Sequence, residues 1–235
     1  MEQYNKLALD TPDLLAMLKQ RGLVVADEQK DLKSLSVISY FRLACYFRPM
    51  ESDKQTHEFR QGTTLEQVLA LYDFDTALRD MVFAATRQIE IALRTRINHH
   101  FSRNHTPFWF TKVDLATDGH LFAEHLSSVD RELRRSKEEF IQEHFERYNK
   151  PTFPPAWKTL ETVSFGTLSK LYGNFAEKVD KKAVAEDFNL PQHEFLISWM
   201  ESLTSLRNFC AHHSRIWNRR FALKPQMPKT LAGHN

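Results

Sequence analysis

Leu206-Arg207-Asn208-Phe209-Cys210-Ala211-His212-His213-Ser214-Arg215-Ile216-Trp217-Asn218-Arg219 is the stretch from which the rest of this chain is read outward. It continues an apolar periodicity that begins near Pro191. At about 100° per residue, Leu196, Trp199, Leu203, Leu206, Cys210 and Trp217 fall on one broad side of a helix. Glu201, Ser205, Asn208, His212 and Arg215 fall on the other. The spacing predicts a helix from Gln192 to about Ser214, opened by Pro191. Arg207 lies on its flank, roughly 100° from Asn208, and a long side chain there can swing toward His212. The adjacent histidines divide: His212 faces a cleft or partner, and His213, in the apolar sector, reads as a packed core histidine.

An Arg that holds a phosphate, beside a His that moves a proton near neutral pH, suffices in principle to break an RNA phosphodiester without a metal. Asn208, in the sector of His212, would position that His or the scissile phosphate. Arg215 shares the sector of Asn208 and His212 and reads as a second phosphate contact. Asn218 either caps the helix end or bonds an RNA group. The same residue types also describe a plain solvated face, and the bare spacing does not choose between the two.

The chain around this stretch is built for helices. Of 235 residues, 42% are hydrophobic, 18 are Phe and only six are Gly, which favours an all-α fold with a sizeable core. The net charge of +2 hides an asymmetry: no Asp or Glu follows Glu201, whereas Arg207, Arg215, Arg219, Arg220, Lys224 and Lys229 do. Such an end attracts a polyanion, or complements a helix dipole. Cys45 and Cys210 make neither a disulfide framework nor a CxxC pair, which suits a cytoplasmic protein. The opening residues lack a leader pattern, and no apolar run is long enough to span a membrane. His99, His100, His105, His120 and His125 have no partners at zinc spacing, and no Gly-rich phosphate loop occurs, so neither metal nor cofactor is expected.

Helix signals recur along the chain. Thr11-Pro12 opens a first helix that Gly22 closes, and a second runs from about Ala26 to Val37. The aromatic segment Ser39–Met50 is helical or extended. Thr64 and Gln67 form a capping box for a long helix to about Phe101, with Val68, Tyr72, Leu78, Met81, Val82, Ala85, Ile89, Leu93 and Ile97 in helical period. Within it Glu90 and Arg94 stand four apart, in the order that stabilises a helix pair. Further helices are expected over Leu121–Tyr148, Trp157–Thr162, Thr167–Phe175 and Lys181–Phe188. The simplest account is a single domain over 1–235, with an N-terminal helical subregion (1–62), a core (63–222) and a tail (223–235).

The string RNxxAHHxRxWNR resembles the signature of abortive-infection proteins of the AbiD/AbiF type, a branch of the HEPN superfamily. Upstream stretches agree in order: Ser39-Tyr40-Phe41-Arg42-Leu43, Leu71-Tyr72-Asp73-Phe74-Asp75 with Leu78-Arg79, Ile89-Glu90 with Leu93-Arg94, and Pro155-Ala156-Trp157 with Ser164-Phe165-Gly166. The similarity runs from about Leu14 to Phe221. It implies a HEPN-like helical bundle and a metal-independent endoribonuclease of a phage-defence or toxin-type system. Arg207 and His212 would be its catalytic pair, with Asn208 beside them. It further implies Glu90 and Arg94 as supporting residues; His213, packed in the apolar sector, would support the site from the core side, and the basic, acid-free end offers RNA contacts from Arg215, Asn218, Arg219 and Arg220. The implied partners are RNA, a second copy in a homodimer, and a regulatory RNA or antitoxin. Related modules only bind RNA or nucleotide, or act as protein-interaction adaptors, and those readings stay open here.

Overall fold

The computed structural model describes residue 3 and residues 7–229 of the chain. Among them the fold is all-α, with ten α-helices and no strand. Four come first: α1 (Thr11–Gln20), α2 (Glu28–Val37), α3 (Tyr40–Phe47) and the 40-residue α4 (Leu65–Asn104). Two compact units divide the chain, one comprising residues up to Met81 with Arg215–Asn218, the other Val82–Ser214 with residues from Arg219 onward. The division falls inside α4.

In the first unit, local chemistry sets the helix ends. Asp10, not Thr11, caps α1, its carboxylate accepting the Asp13 N–H at 3.0 Å, and Pro12 sits in the first turn. The helix stops at Gly22, whose φ of +94° is open to glycine at little cost. There Gly22 N–H donates to Lys19 O and Leu23 N–H to Leu18 O, a Schellman closure. Ser39 caps α3, which resolves the aromatic segment as helix. Thr64 and Gln67 exchange the two bonds of a capping box at the start of α4. Leu15 and Leu18 of α1, Leu35 of α2, and Leu43 and Phe47 of α3 bury together with Leu65 and Val68 of α4.

A polar knot lies beside that core. Asp75 is fully buried, and its Oδ2 accepts from Tyr46 Oη at 2.5 Å and from the Arg79 guanidinium. Its Oδ1 accepts the backbone N–H groups of Ile216 and Trp217 at 3.2 and 2.6 Å. Arg79 also donates to Thr76 Oγ1 at 2.7 Å and lies over the Tyr72 ring. A buried carboxylate with four donors is satisfied; one that loses them is not. Burial, then the bond to the Asp75 carboxylate, pushes the Tyr46 phenol well above its ordinary pKa, so it stays a donor.

The second unit holds the rest of α4 and six more helices. These are α5 (Gly119–Arg135), α6 (Glu139–Arg147), α7 (Ala156–Thr162), α8 (Phe165–Asn174), α9 (Lys178–Glu186) and α10 (His193–Ala211). The single helix expected over Leu121–Tyr148 is two: Ser136 and Glu138 are extended, and Ser136 Oγ accepts the Glu138 N–H at 3.2 Å. Helix α8 packs against α5 and α10. Leu93, Ile97 and Phe101 of α4 enter this core, where Phe101 stacks on Phe175 at 3.9 Å between centroids. The end of α4 is tied to α9 and its neighbour by carboxylates. Asp180 takes His105 at 2.7 Å and Asn104 at 2.6 Å, while Asp187 takes Arg96 and, at 2.8 Å, His100. The Arg96 guanidinium holds the Asp187 carboxyl below the usual carboxylate range. Among the described residues no helix is long and apolar enough to cross a membrane.

The knot in the first unit yields a ranking. Asp75→Ala strands a buried guanidinium and should destabilise by about 3–5 kcal/mol. Tyr46→Phe removes one donor of four and should cost about 1 kcal/mol. Urea unfolding of the two variants checks the order; an equal or reversed order would show that the carboxylate is not the anchor.

Candidate functional site

Helix α10 positions the Arg/His stretch, but it is shorter than its periodicity suggests. It ends at Ala211, and His212 is its C-cap at φ −92°, ψ 14°. His213 N–H donates to Cys210 O and Ser214 N–H to Phe209 O, the same Schellman closure that ends α1. Here the left-handed position, φ +55°, is filled by His213 rather than glycine. His213 is therefore exposed and is not a packed core residue; the helical wheel that put it inside does not extend past Ala211. His212 is exposed, as its sector predicted. The buried side of α10 carries His193, Leu196, Met200 and Cys210, whereas Trp199, Leu203 and Leu206 are only half-buried.

Arg207 is held by α4. Its Nε lies 3.6 Å from Glu90 Oε2, its guanidinium carbon 5.7 Å from the Phe83 ring centroid, and its Nη1 donates to Asn208 Oδ1 at 3.4 Å. The other Glu90 oxygen takes Arg94 Nη2 at 2.5 Å, and Arg94 donates in turn to the backbone carbonyl of Leu160, in the last turn of α7. Glu90 and Arg94 are both buried, while the Arg207 side chain keeps 34% exposure. One carboxylate thus serves two guanidinium groups, leaving one positive charge uncompensated, at the more accessible arginine. That is suitable chemistry for an anionic phosphate. This is where the structure places Glu90 and Arg94, the residues expected to support the site. Phe83 was missed in the sequence; it lies seven residues before Glu90, on the same helix side. No hydrogen bond or ion pair joins Arg207 to His212 among the described residues. Five residues of helix separate them by about 140° around the axis.

The other stretches of the signature are anchors. Asp75 and Arg79 form the knot that holds the backbone of Ile216 and Trp217. Ala156 N–H donates to Pro107 O at 2.7 Å, and Ala156 is fully buried. Ser164 caps α8, and Glu132 of α5 accepts from the Ser164 N–H and from Thr167 Oγ1.

The basic residues after α10 separate. Arg215 does not extend the sector of Asn208 and His212, because the helix has ended; it belongs to the first unit. Asn218 adopts φ +49°, is exposed, and lies too far beyond Ala211 to cap α10. Ile216 rather than Trp217 is the buried residue of this segment, with Trp217 half-buried. Arg219 lies 3.8 Å over the Phe209 ring, and with Arg220 and Lys224 it lines a groove of about 820 Å³ floored by Trp199, Leu206 and Phe221. Trp199 Nε1 donates to Gln226 O at 2.8 Å and Gln226 N–H to Ser198 Oγ at 2.9 Å, which straps this segment to α10. No group of three or more His, Cys, Asp or Glu converges as a metal site among the described residues.

A helical core, a half-exposed arginine braced by a buried carboxylate, and a histidine at the end of the same helix define an all-α protein with a cationic candidate site. A sequence profile of the Abi-like proteins matches residues 33–218, and the chain belongs to that family. No curated protein and no solved structure matches it.

The cap geometry is directly testable. A non-glycine residue in the left-handed region costs about 1–2 kcal/mol, so His213→Gly should raise thermal stability, and His213→Ala should not lower it as loss of a core side chain would. A drop in melting temperature for His213→Gly would contradict the exposed, left-handed placement.

Proposed function

We propose that this Abi-like protein is a metal-independent endoribonuclease of an abortive-infection or toxin-type defence system, with a HEPN-like site built on Arg207 and His212. The observation that supports this most is the bracing of Arg207 by Glu90 and Phe83. It holds a guanidinium in place with one net charge left for a phosphate. Preorganised cations contribute most where charge develops in a transition state. In the reaction, the ribose 2′-oxygen bonds to its own 3′-phosphorus as its proton passes to an imidazole, and the bond to the 5′-oxygen breaks as that oxygen gains a proton. His212, exposed at the helix end, supplies the proton transfer; Arg207 stabilises the phosphorane oxygens; Asn208 orients the arginine through their mutual contact. Arg219 and Arg220 carry flanking phosphates, with Arg215 and Asn218 as further contacts.

Because a single copy holds Arg207 and His212 on different sides of α10, a second copy is the natural source of complementary groups. Incubating the purified protein with end-labelled RNA in EDTA tests the reading. Fragments with 2′,3′-cyclic phosphate and 5′-hydroxyl ends are expected, DNA should survive, and His212→Ala should abolish cleavage without altering helical content or melting. RNA retardation without cleavage would instead mark a binding module, and neither result an adaptor. In the same system, Arg219→Ala with Arg220→Ala should flatten the salt dependence of RNA binding by about two phosphate contacts; an unchanged slope would remove these arginines from the interface.

A further inference from the structure

Within the second unit, helices α5, α8 and α10 enclose a cleft of about 550 Å³, with α8 packed against both of the others. Asp118, Leu121 and His125 line it from the start of α5. Ile197, Glu201 and Thr204 line it from α10, and Gly166, Lys170 and Gly173 from α8. Each set is spaced by three and four residues, so each lies on one side of its helix. A Cβ on Gly166 would stand 3.5 Å from Thr204 Cγ2, and one on Gly173 3.9 Å from Ile197 Cγ2. Helices α8 and α10 are therefore antiparallel, with Ser169 and Lys170 level with Glu201. The two glycines, lacking side chains, keep the floor of the cleft open.

The walls hold unpaired charge and unserved polar atoms. Lys170 and Glu201 are both exposed, yet neither side chain forms an ion pair or hydrogen bond among the described residues. Asp118 uses one carboxylate oxygen to cap α5, accepting the His120 and Leu121 N–H groups at 2.8 and 3.0 Å. Thr204 Oγ1 and His125 Nδ1 are buried without a hydrogen-bond partner among the described residues. Burial, then Lys170 nearby, holds the His125 pKa below its ordinary value, so the imidazole is uncharged at neutral pH. Two carboxylates against one ammonium disfavour a phosphate-rich ligand. Polar atoms left unserved in the walls disfavour a plain hydrocarbon. Leu121, Ile197 and Leu223 nevertheless give part of the cleft an apolar lining.

We propose that this cleft binds a small zwitterion of the α-amino acid type with an apolar side chain. The ligand carboxylate pairs with Lys170 and its ammonium group with Glu201, while its side chain covers Leu121, Ile197 and Leu223. Unpaired opposite charges on neighbouring helices suit a molecule that carries both, because a simple anion or cation answers one and leaves the other. The Ser169 and Thr204 hydroxyls stand in the walls as further partners for the polar end. Neither Arg207 nor His212 lines the cleft, so the site does not rest on the ribonuclease reading. Leu223 also lines the cationic groove of Arg219 and Arg220, and the two surfaces share that side chain.

Calorimetric titration of the full-length protein with L-leucine, L-isoleucine, L-methionine and L-phenylalanine tests the assignment. At least one should bind with a Kd below about 1 mM. For that ligand, Lys170→Gln and Glu201→Gln should each weaken binding about tenfold or more, with helical circular dichroism unchanged because both side chains are exposed. Its decarboxylated amine and its deaminated acid should each bind about tenfold more weakly as well. Gly173→Leu, which fills the floor, should abolish binding. No binding by any of the four at millimolar concentration overturns the proposal. So does binding indifferent to both Lys170→Gln and Glu201→Gln, which would place the ligand elsewhere. An amine or acid that binds as tightly as the amino acid, or competition by uridine monophosphate, would show that the cleft does not select a zwitterion.

Discussion

One buried carboxylate organises the first unit. Asp75 sits at zero exposure and collects a phenol, a guanidinium and two backbone amides. A charge so placed is tolerable only with its partners present, and each partner comes from a different part of the chain: α3, α4 and the Ile216–Trp217 segment. The arrangement therefore ties residues about 140 positions apart to one point, with a geometry that apolar packing alone would not specify. It also explains why a Leu-Tyr-Asp-Phe-Asp stretch and an Arg-Ile-Trp-Asn stretch occur in the same chain: the second supplies the amides that the first requires.

The second unit repeats the device with an opposite outcome. Glu90 is buried like Asp75, yet it is shared between two arginines of unequal exposure. Arg94 is consumed structurally, its guanidinium closing on an orphan carbonyl at the end of α7. Arg207 is braced but left accessible. Oriented, only partly neutralised charge is what an anion-handling site requires, and it costs stability unless the rest of the network is satisfied. These stretches thus mix two kinds of residue: buried anchors within each unit, and more accessible polar groups toward the end of α10, of which Arg207 is braced by Glu90.

Helix ends decide what those groups face. α1 and α10 close with the same pair of backbone bonds, but α1 uses Gly22 and α10 uses His213. Glycine at that place is free of the Cβ clash, whereas histidine accepts it. His213 lies in a segment that also holds Arg207, Asn208 and His212, and it shares its left-handed backbone with His57, Asn189 and Asn218 elsewhere among the described residues.

Much of this was legible in the chain. The all-α class follows from low glycine and the 3.6-residue period; the Thr64–Gln67 box and the stop at Gly22 follow from side-chain and glycine chemistry that acts within a few residues. The exposure of His212 followed from its sector. The Glu90–Arg94 pair followed from spacing along one helix, since neighbours four apart meet whatever the fold. The sequence did not mark the end of α10, because a Schellman closure is made by backbone groups and no glycine or proline announces it at His213. The faces assigned past His212, to His213 and Arg215, then failed. Nor did it mark the break at Ser136, where two extended residues interrupt an unbroken amphipathic pattern. It could not say that Asp75 would meet Ile216 and Trp217, or that Glu90 would be divided between Arg94 and Arg207. Those outcomes depend on groups brought together from distant positions, and only the tertiary structure selects them. Local rules set the helices; the placement of a few buried charges decides which side chains remain outside to act.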